Sequence, residues 1–211
     1  NTVGRNELIG KSVSVGYCQE RIPGVAEGFT IFNTLNFPTD EEAKRRVETT
    51  IKNLNLYSVS FNIWGAIESI SKANGIDPKL ILALITTESQ GIQSSKSPAD
   101  AVGIMQIVPN EYPTLNPSRL RDNVLYNLEA GIKILKSKEE LSDNTYIETI
   151  NACKESQRKA KYMKYITSNK WDSALRLYNG GGCNCPDCDD DFVEKVNKYY
   201  KIWETTVLPF A

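Results

Sequence analysis

The stretch from Pro78 to Gln90, PKLILALITTESQ, closes an apolar run on a carboxylate, Glu88. A charged glutamate is costly to bury, and the chain contains no histidine to share its proton. That absence excludes Ser-His-Asp and Cys-His nucleophiles and a His-ligated catalytic zinc. Chemistry is left to carboxylates, hydroxyls, tyrosines and five cysteines. Asp77-Pro78 reads as an N-cap followed by proline at the first helical position. In the helix it opens, Ile81, Leu84, Ile85 and Glu88 share one face by i, i+3, i+4, i+7 spacing. On that face, burial and the negative end of the helix dipole both disfavour ionisation. The result is an acid able to donate a proton near neutral pH, as glycosidic cleavage demands of its leaving-group acid. The plainer alternative is that Glu88 frays into solvent at the helix end.

The elements around it read as helices. Thr39 with Glu42 resembles a capping box, and Ala43, Val47, Ile51 and Leu54 continue as an apolar stripe. Ile63, Ile67 and Ile70 form the next stripe, stopped by Asn74-Gly75. Val124, Leu128, Gly131 and Leu135 predict a further helix. Trp171, Ala174, Leu175 and Tyr178 predict another, ended by a glycine run. The acidic run Asp189–Asp191 suits a helix N-terminus, after which Phe192, Val196, Tyr199 and Trp203 face inward. Residues 1–37 offer one alternating stretch, SVSVGY, that fits a short strand. The expectation is a mainly α protein: one compact helical domain over residues 61–211, with residues 1–60 as a small N-terminal extension carrying one helix. The balance of 25 basic and 26 acidic residues gives a net charge of −1, and no basic tract points to nucleic acid. The longest apolar run, LILALI, is too short to span a membrane. The chain begins at Asn1 without a methionine, as a processed or cut form does.

The segment ESQGIQSSKSPADAVGIMQIVP resembles the core motif of lytic transglycosylases with the goose-type lysozyme fold, through Glu88, Ser89, Ser97, Pro98, Gly103, Ile104, Met105, Gln106 and Pro109. NLEAGIKIL is similar to that family's Asn-x-x-x-Gly helix through Asn127 and Gly131. LRLYNGGG is similar to its Tyr-Asn-Gly block through Tyr178, Asn179 and Gly180, and FVEKVNKYY to its final helix. Four ordered blocks make the likeness specific over residues 62–204. The resemblance implies a lysozyme-like fold, peptidoglycan glycan strands as substrate and no cofactor. It makes Glu88 the single catalytic acid and base, with Ser97, Met105, Gln106, Tyr178 and Asn179 lining the sugar groove. Three of these also have a structural reading, Met105 as core, Ser97 as a turn residue and Asn179-Gly180 as a helix stop, and Tyr178 points inward under either reading.

The chain departs from the family in three places. Ile92-Gln93 stands where members often carry Asn-Pro, the stretch between Gly131 and Trp171 is long and Lys-rich, and CNCPDC follows the glycine run. These changes border the groove and bear on substrate preference. A hydrolase would need a second carboxylate to activate water. Goose-type lysozymes place one just after Met-Gln, where this chain has Val108; Asp100 is the nearby acid in the loop. An inactive glycan-binding protein of the same fold is the reading from outside the enzymes. Peptidoglycan lies outside the cytoplasm, so the protein is expected to be exported or carried on a virus particle, with an envelope or virion assembly partner.

Cys153, Cys183, Cys185 and Cys188 allow either disulfides or a structural four-thiolate zinc site, with Cys18 left over. A bridge from Cys183 to Cys185 is disfavoured by disulfide geometry, and neither alternative is catalytic. Because five is odd, a disulfide framework predicts about one free thiol in the unreduced, unfolded protein. Five free thiols accompanied by bound zinc would assign the cluster to the metal.

Overall fold

The structure, a computed structural model, describes residues 37–57, 63–141, 143–154, 156–180 and 189–208. The SVSVGY stretch and Cys18, Cys183, Cys185 and Cys188 lie outside them. Among the described residues the fold is helical, and the only β-type pairing is two isolated bridges, Lys96 with Val102 and Val102 with Ile107. No helix among them is long and apolar enough to cross a membrane.

Helices begin where their caps are written. Thr39 accepts from Glu42 N–H at the start of α1 (Asp40–Asn53), and Asp77 accepts from Lys79 N–H at the start of α3 (Pro78–Glu88). Between them α2 (Trp64–Ala73) ends at Asn74, with Gly75 in the left-handed region. The single apolar face expected for α3 understates the result, because every residue from Leu80 to Glu88 is buried. The run LILALI is apolar on all sides, which marks a helix surrounded by protein.

The last helix, α10 (Phe192–Thr205), makes the most extensive packing against α3. Phe192, Val196, Tyr199 and Trp203 all face inward and are fully buried. The Trp203 indole donates to Thr86 Oγ1 at 3.0 Å, and that hydroxyl donates to the Leu82 carbonyl, so neither buried polar group is left open. α1 packs on both α3 and α10, and Asn53 Nδ2 donates to the Gln90 carbonyl just beyond Glu88.

After a 3-10 turn (Pro109–Glu111) and short α4 (Pro117–Asp122) comes α5 (Val124–Glu139), capped by Asn123. The long Lys-rich stretch folds into α6 (Asp143–Asn151), α7 (Ser156–Met163) and α8 (Tyr165–Ser168). It is tied down by tyrosines: Tyr146 donates to the Tyr162 carbonyl, and the Tyr162 and Tyr165 rings stack at 5.9 Å. Arg176 on α9 (Lys170–Tyr178) lies over the Tyr162 ring at 4.4 Å.

Asn127 and Gly131 fall one turn apart on α5 and face the same loop. A Cβ on Gly131 would come within 2.6 Å of Met105 Cβ. Alanine normally strengthens a helix by about 1 kcal/mol over glycine, but overpacking a tight contact costs about 1–3 kcal/mol. Gly131→Ala is therefore expected to lower the melting temperature, at about 2–4 °C per kcal/mol for a chain of this size. An unchanged or higher value in a thermal melt would show that the contact yields.

Candidate active site

The loop from Gln90 to Val108 is built by its own backbone. Val102 and Ile107 exchange both N–H to carbonyl bonds at 2.9 and 3.0 Å, and Gly103 N–H donates to the Ser95 carbonyl. Ser89 Oγ donates to the Ile104 carbonyl at 2.8 Å, which ties the end of α3 to the far side of the loop. The buried Asn127 carboxamide holds the loop from below. Its Oδ1 accepts from Met105 N–H at 2.8 Å, and its Nδ2 donates to the Val102 and Leu120 carbonyls at 3.0 Å each. This approach requires glycine at 103: φ is +81°, and a Cβ there would lie 2.1 Å from Asn127 Nδ2.

Glu88 is buried, with 4 % of its surface exposed. It does not fray into solvent, because α1, α2 and α10 enclose the helix that carries it. Burial pushes its carboxyl well above the ordinary 4.5, and the negative charge of Asp189 adds to the effect. Tyr178, at the last turn of α9, is half-buried, and its hydroxyl donates to the Met105 carbonyl at 2.7 Å. Its own ionisation is pushed up by burial, then by the nearby Glu88 and Tyr112. Glu88, Tyr178 and the Met105 backbone thus meet at one place, where the ends of α3 and α9 face the Gly103–Gln106 turn.

The other residues singled out from the sequence have different surroundings. The Met105 side chain is fully buried against Gly131, so the residue presents its carbonyl to Tyr178. Gln106 has a left-handed backbone (φ +47°), and its Nε2 donates to the Ser95 and Gly103 carbonyls. Ser97 is buried in the turn, where its Oγ accepts from Ala101 N–H at 2.8 Å. Asn179 caps α9, and its Oδ1 accepts from Arg176 Nη1 at 3.1 Å. Asp100 sits exposed with φ +63° and pairs with Lys96 at 2.7 Å. Its carboxyl is held below the ordinary range by that lysine. Cys153 is disulfide-bonded, so its sulfur is not a thiolate ligand. Among the described residues no group of three or more His, Cys, Asp or Glu is placed to hold a metal ion.

Three neighbours of the site fall outside the site residues that the sequence motifs imply: Tyr112, Asp189 and Lys195. From the sequence Asp189 reads only as a favourable charge near a helix N-terminus. In the structure Asp191 is the N-cap of α10 and makes no side-chain cap bond. The three acids are matched by cations instead, Asp189 by Lys195, Asp190 by Arg158 and Asp191 by Lys161. A signal was present, since Lys195 falls at i+3 in the otherwise apolar set Phe192, Val196, Tyr199.

Among models of known protein families, the transglycosylase SLT domain matches residues 65–185, more than half of the chain.

The raised ionisation of Glu88 carries a stability consequence. Between the ordinary 4.5 and the higher folded value, the unfolded chain releases a proton that the folded chain retains. Raising the pH through that window therefore disfavours the fold. Glu88→Gln is expected to melt higher than the parent at neutral pH, with the gap closing as pH falls below 4.5. Parallel melts at both pH values check it; a neutral-pH melt no higher than the parent would contradict the burial penalty.

Proposed function

The chain belongs to the transglycosylase SLT domain family, and on that premise we propose that it is a peptidoglycan lytic transglycosylase. It cleaves the β-1,4 bond between N-acetylmuramic acid and N-acetylglucosamine and leaves 1,6-anhydromuramic ends. The observation that carries this reading is the buried Glu88 carboxyl beside Tyr178, inside the span that matches the family.

A carboxyl kept neutral by its surroundings can protonate the glycosidic oxygen as the bond to C1 breaks. The positive charge that develops at C1 is stabilised by the substrate's own N-acetyl group. Glu88, now a carboxylate, takes the proton from the muramoyl O6 hydroxyl, and O6 closes on C1. One carboxyl serves both steps, which accords with Val108 after the Met-Gln pair and with Asp100 being paired to Lys96.

Tyr178 and the Met105 carbonyl form one wall beside Glu88. The Gln106 amide nitrogen is spent on Ser95 and Gly103, which orients its Oε1 as an acceptor for a sugar hydroxyl or acetamido N–H. Ser97 shapes the turn that carries these groups, and Asn179 bounds the groove at the end of α9. No cofactor enters these steps. The substrate places the working enzyme outside the cytoplasm, exported or borne on a virion, alongside an envelope or virion assembly partner.

Digestion of purified cell walls followed by mass spectrometry tests the proposal. Products are expected to end in anhydromuramic acid, and Glu88→Gln, still folded, is expected to lose about 100-fold or more of the activity. Products with hydrated, reducing muramic ends would make water the nucleophile and the protein a lysozyme-type hydrolase. No cleavage by the parent protein, with binding to walls retained, would make it a glycan-binding protein.

A further inference from the structure

An ion pair between a buried lysine and a partly buried aspartate lies at the same end of α3 as Glu88. Lys195 is 4 % exposed, and its Nζ lies 2.7 Å from Asp189 Oδ2. Asp189 is fixed from a second side, since its Oδ1 accepts from Asp191 N–H. Its two neighbours in the acidic run turn the other way. Asp190 meets Arg158 and Tyr162, and Asp191 meets Lys161, all on α7.

Contacts at the opposite ends set the direction of α10 on α3. Tyr200 donates to Asp77 Oδ2 at 2.7 Å, and Lys79 Nζ to the Glu204 carbonyl at 2.8 Å, so the end of α10 meets the start of α3. The helices run antiparallel. At 1.5 Å per residue, from the Asp77–Tyr200 contact the chain covers about 17 Å to Glu88, and α10 covers about 12 Å back to Phe192, with Asp189 three residues further on. Asp189 therefore arrives level with Glu88.

We propose that Asp189, locked by Lys195, is a positioning residue for the catalytic acid: its fixed negative charge keeps the proton on Glu88 until substrate is bound, and Lys195 limits how strongly that field acts. The electrostatics agree, because after burial it is the charge of Asp189 that raises Glu88. Other groups face this region from α1, α9, α10 and the loop, while the titratable residues of α2, Glu68 and Lys72, pair with each other on its outer side. Tyr178 does so from α9 and Tyr112 from the loop after the 3-10 turn. Tyr199 does so from α10, with Glu42 and Arg46 of α1 beyond it. The three tyrosines are all pushed above their ordinary 10.0, so they stay neutral across the working range. Arg46 bonds Glu42 through both Nε and Nη2. Among the described residues, the Asp189–Lys195 pair is thus the charged neighbour whose removal changes the field at Glu88.

This inference rests on Glu88 being the catalytic acid. The test is the pH profile of kcat/KM for wall cleavage, with a ¹³C-carboxyl titration of Glu88 that needs no turnover. Asp189→Asn is expected to move the descending limb, and the Glu88 titration, down by about half a unit or more, the size of a nearby buried charge's effect. Lys195→Gln is expected to move both upward. A role confined to stability would lower activity in both variants without opposite shifts. If Lys195→Gln does not fold, Asp189→Glu takes its place and is expected to keep the parent limb; a limb shifted as far as that of Asp189→Asn overturns the proposal. A Glu88 titration unmoved in Asp189→Asn also overturns it. If Glu88→Gln stays fully active, the functional reading fails instead, and the ¹³C titration still reports whether Asp189 acts on Glu88.

Discussion

Keeping a carboxyl group out of water is the constraint around which this fold is arranged. Glu88 closes a helix whose residues from Leu80 onward are all buried. A helix with no solvent face needs neighbours on every side, and α1, α2 and α10 supply them. That enclosure makes ionisation unfavourable, whereas a glutamate in water would have lost its proton well below neutral pH. The penalty for burying it is borne by the many aliphatic contacts of α3.

The surroundings of the carboxyl are set in turn by the loop from Gly103 to Gln106. A loop of this kind has little core of its own. It is held by the three hydrogen bonds of the Asn127 carboxamide and by the Met105 side chain seated on Gly131. Those two α5 residues are spaced one turn apart because they serve one contact surface. Tyr178 closes the arrangement by bonding the Met105 carbonyl, so that the end of α9 is referenced to the same turn. Helix ends and backbone groups, more than long side chains, define this site, which suits a geometry that must hold to within a fraction of an ångström.

The inserted helices α6 to α8 are tied to the same framework. Arg158 and Lys161 neutralise Asp190 and Asp191, and Tyr165 donates to Glu194 at 2.8 Å, which anchors the insertion to the first turn of α10. Arg176 lies against the Tyr162 ring and reaches Asn179. The added chain therefore does not hang free of α9 and α10. It fixes both the residue that ends α9 and the acidic turn that faces α3.

Much of this was legible in the chain. Thr39, Asp77, Asn74-Gly75 and the period-3.6 stripes placed α1 to α3, α5, α9 and α10, because caps and periodicity act between residues a few positions apart. The place of Glu88 on the apolar face was legible for the same local reason, and the four ordered blocks resembled the family whose domain matches residues 65–185. What the sequence could not decide was which groups meet through space. Met105 looks like a candidate groove residue, yet its side chain is core and its carbonyl does the facing, since backbone orientation depends on Asn127 a helix away. Asp189 looks like a helix-terminus charge, yet its field falls on Glu88, and Lys195 is drawn inward to match it. Those outcomes depend on how α10 lies across α3, which follows from the packing of two buried surfaces and has no counterpart in the spacing of residues along either helix.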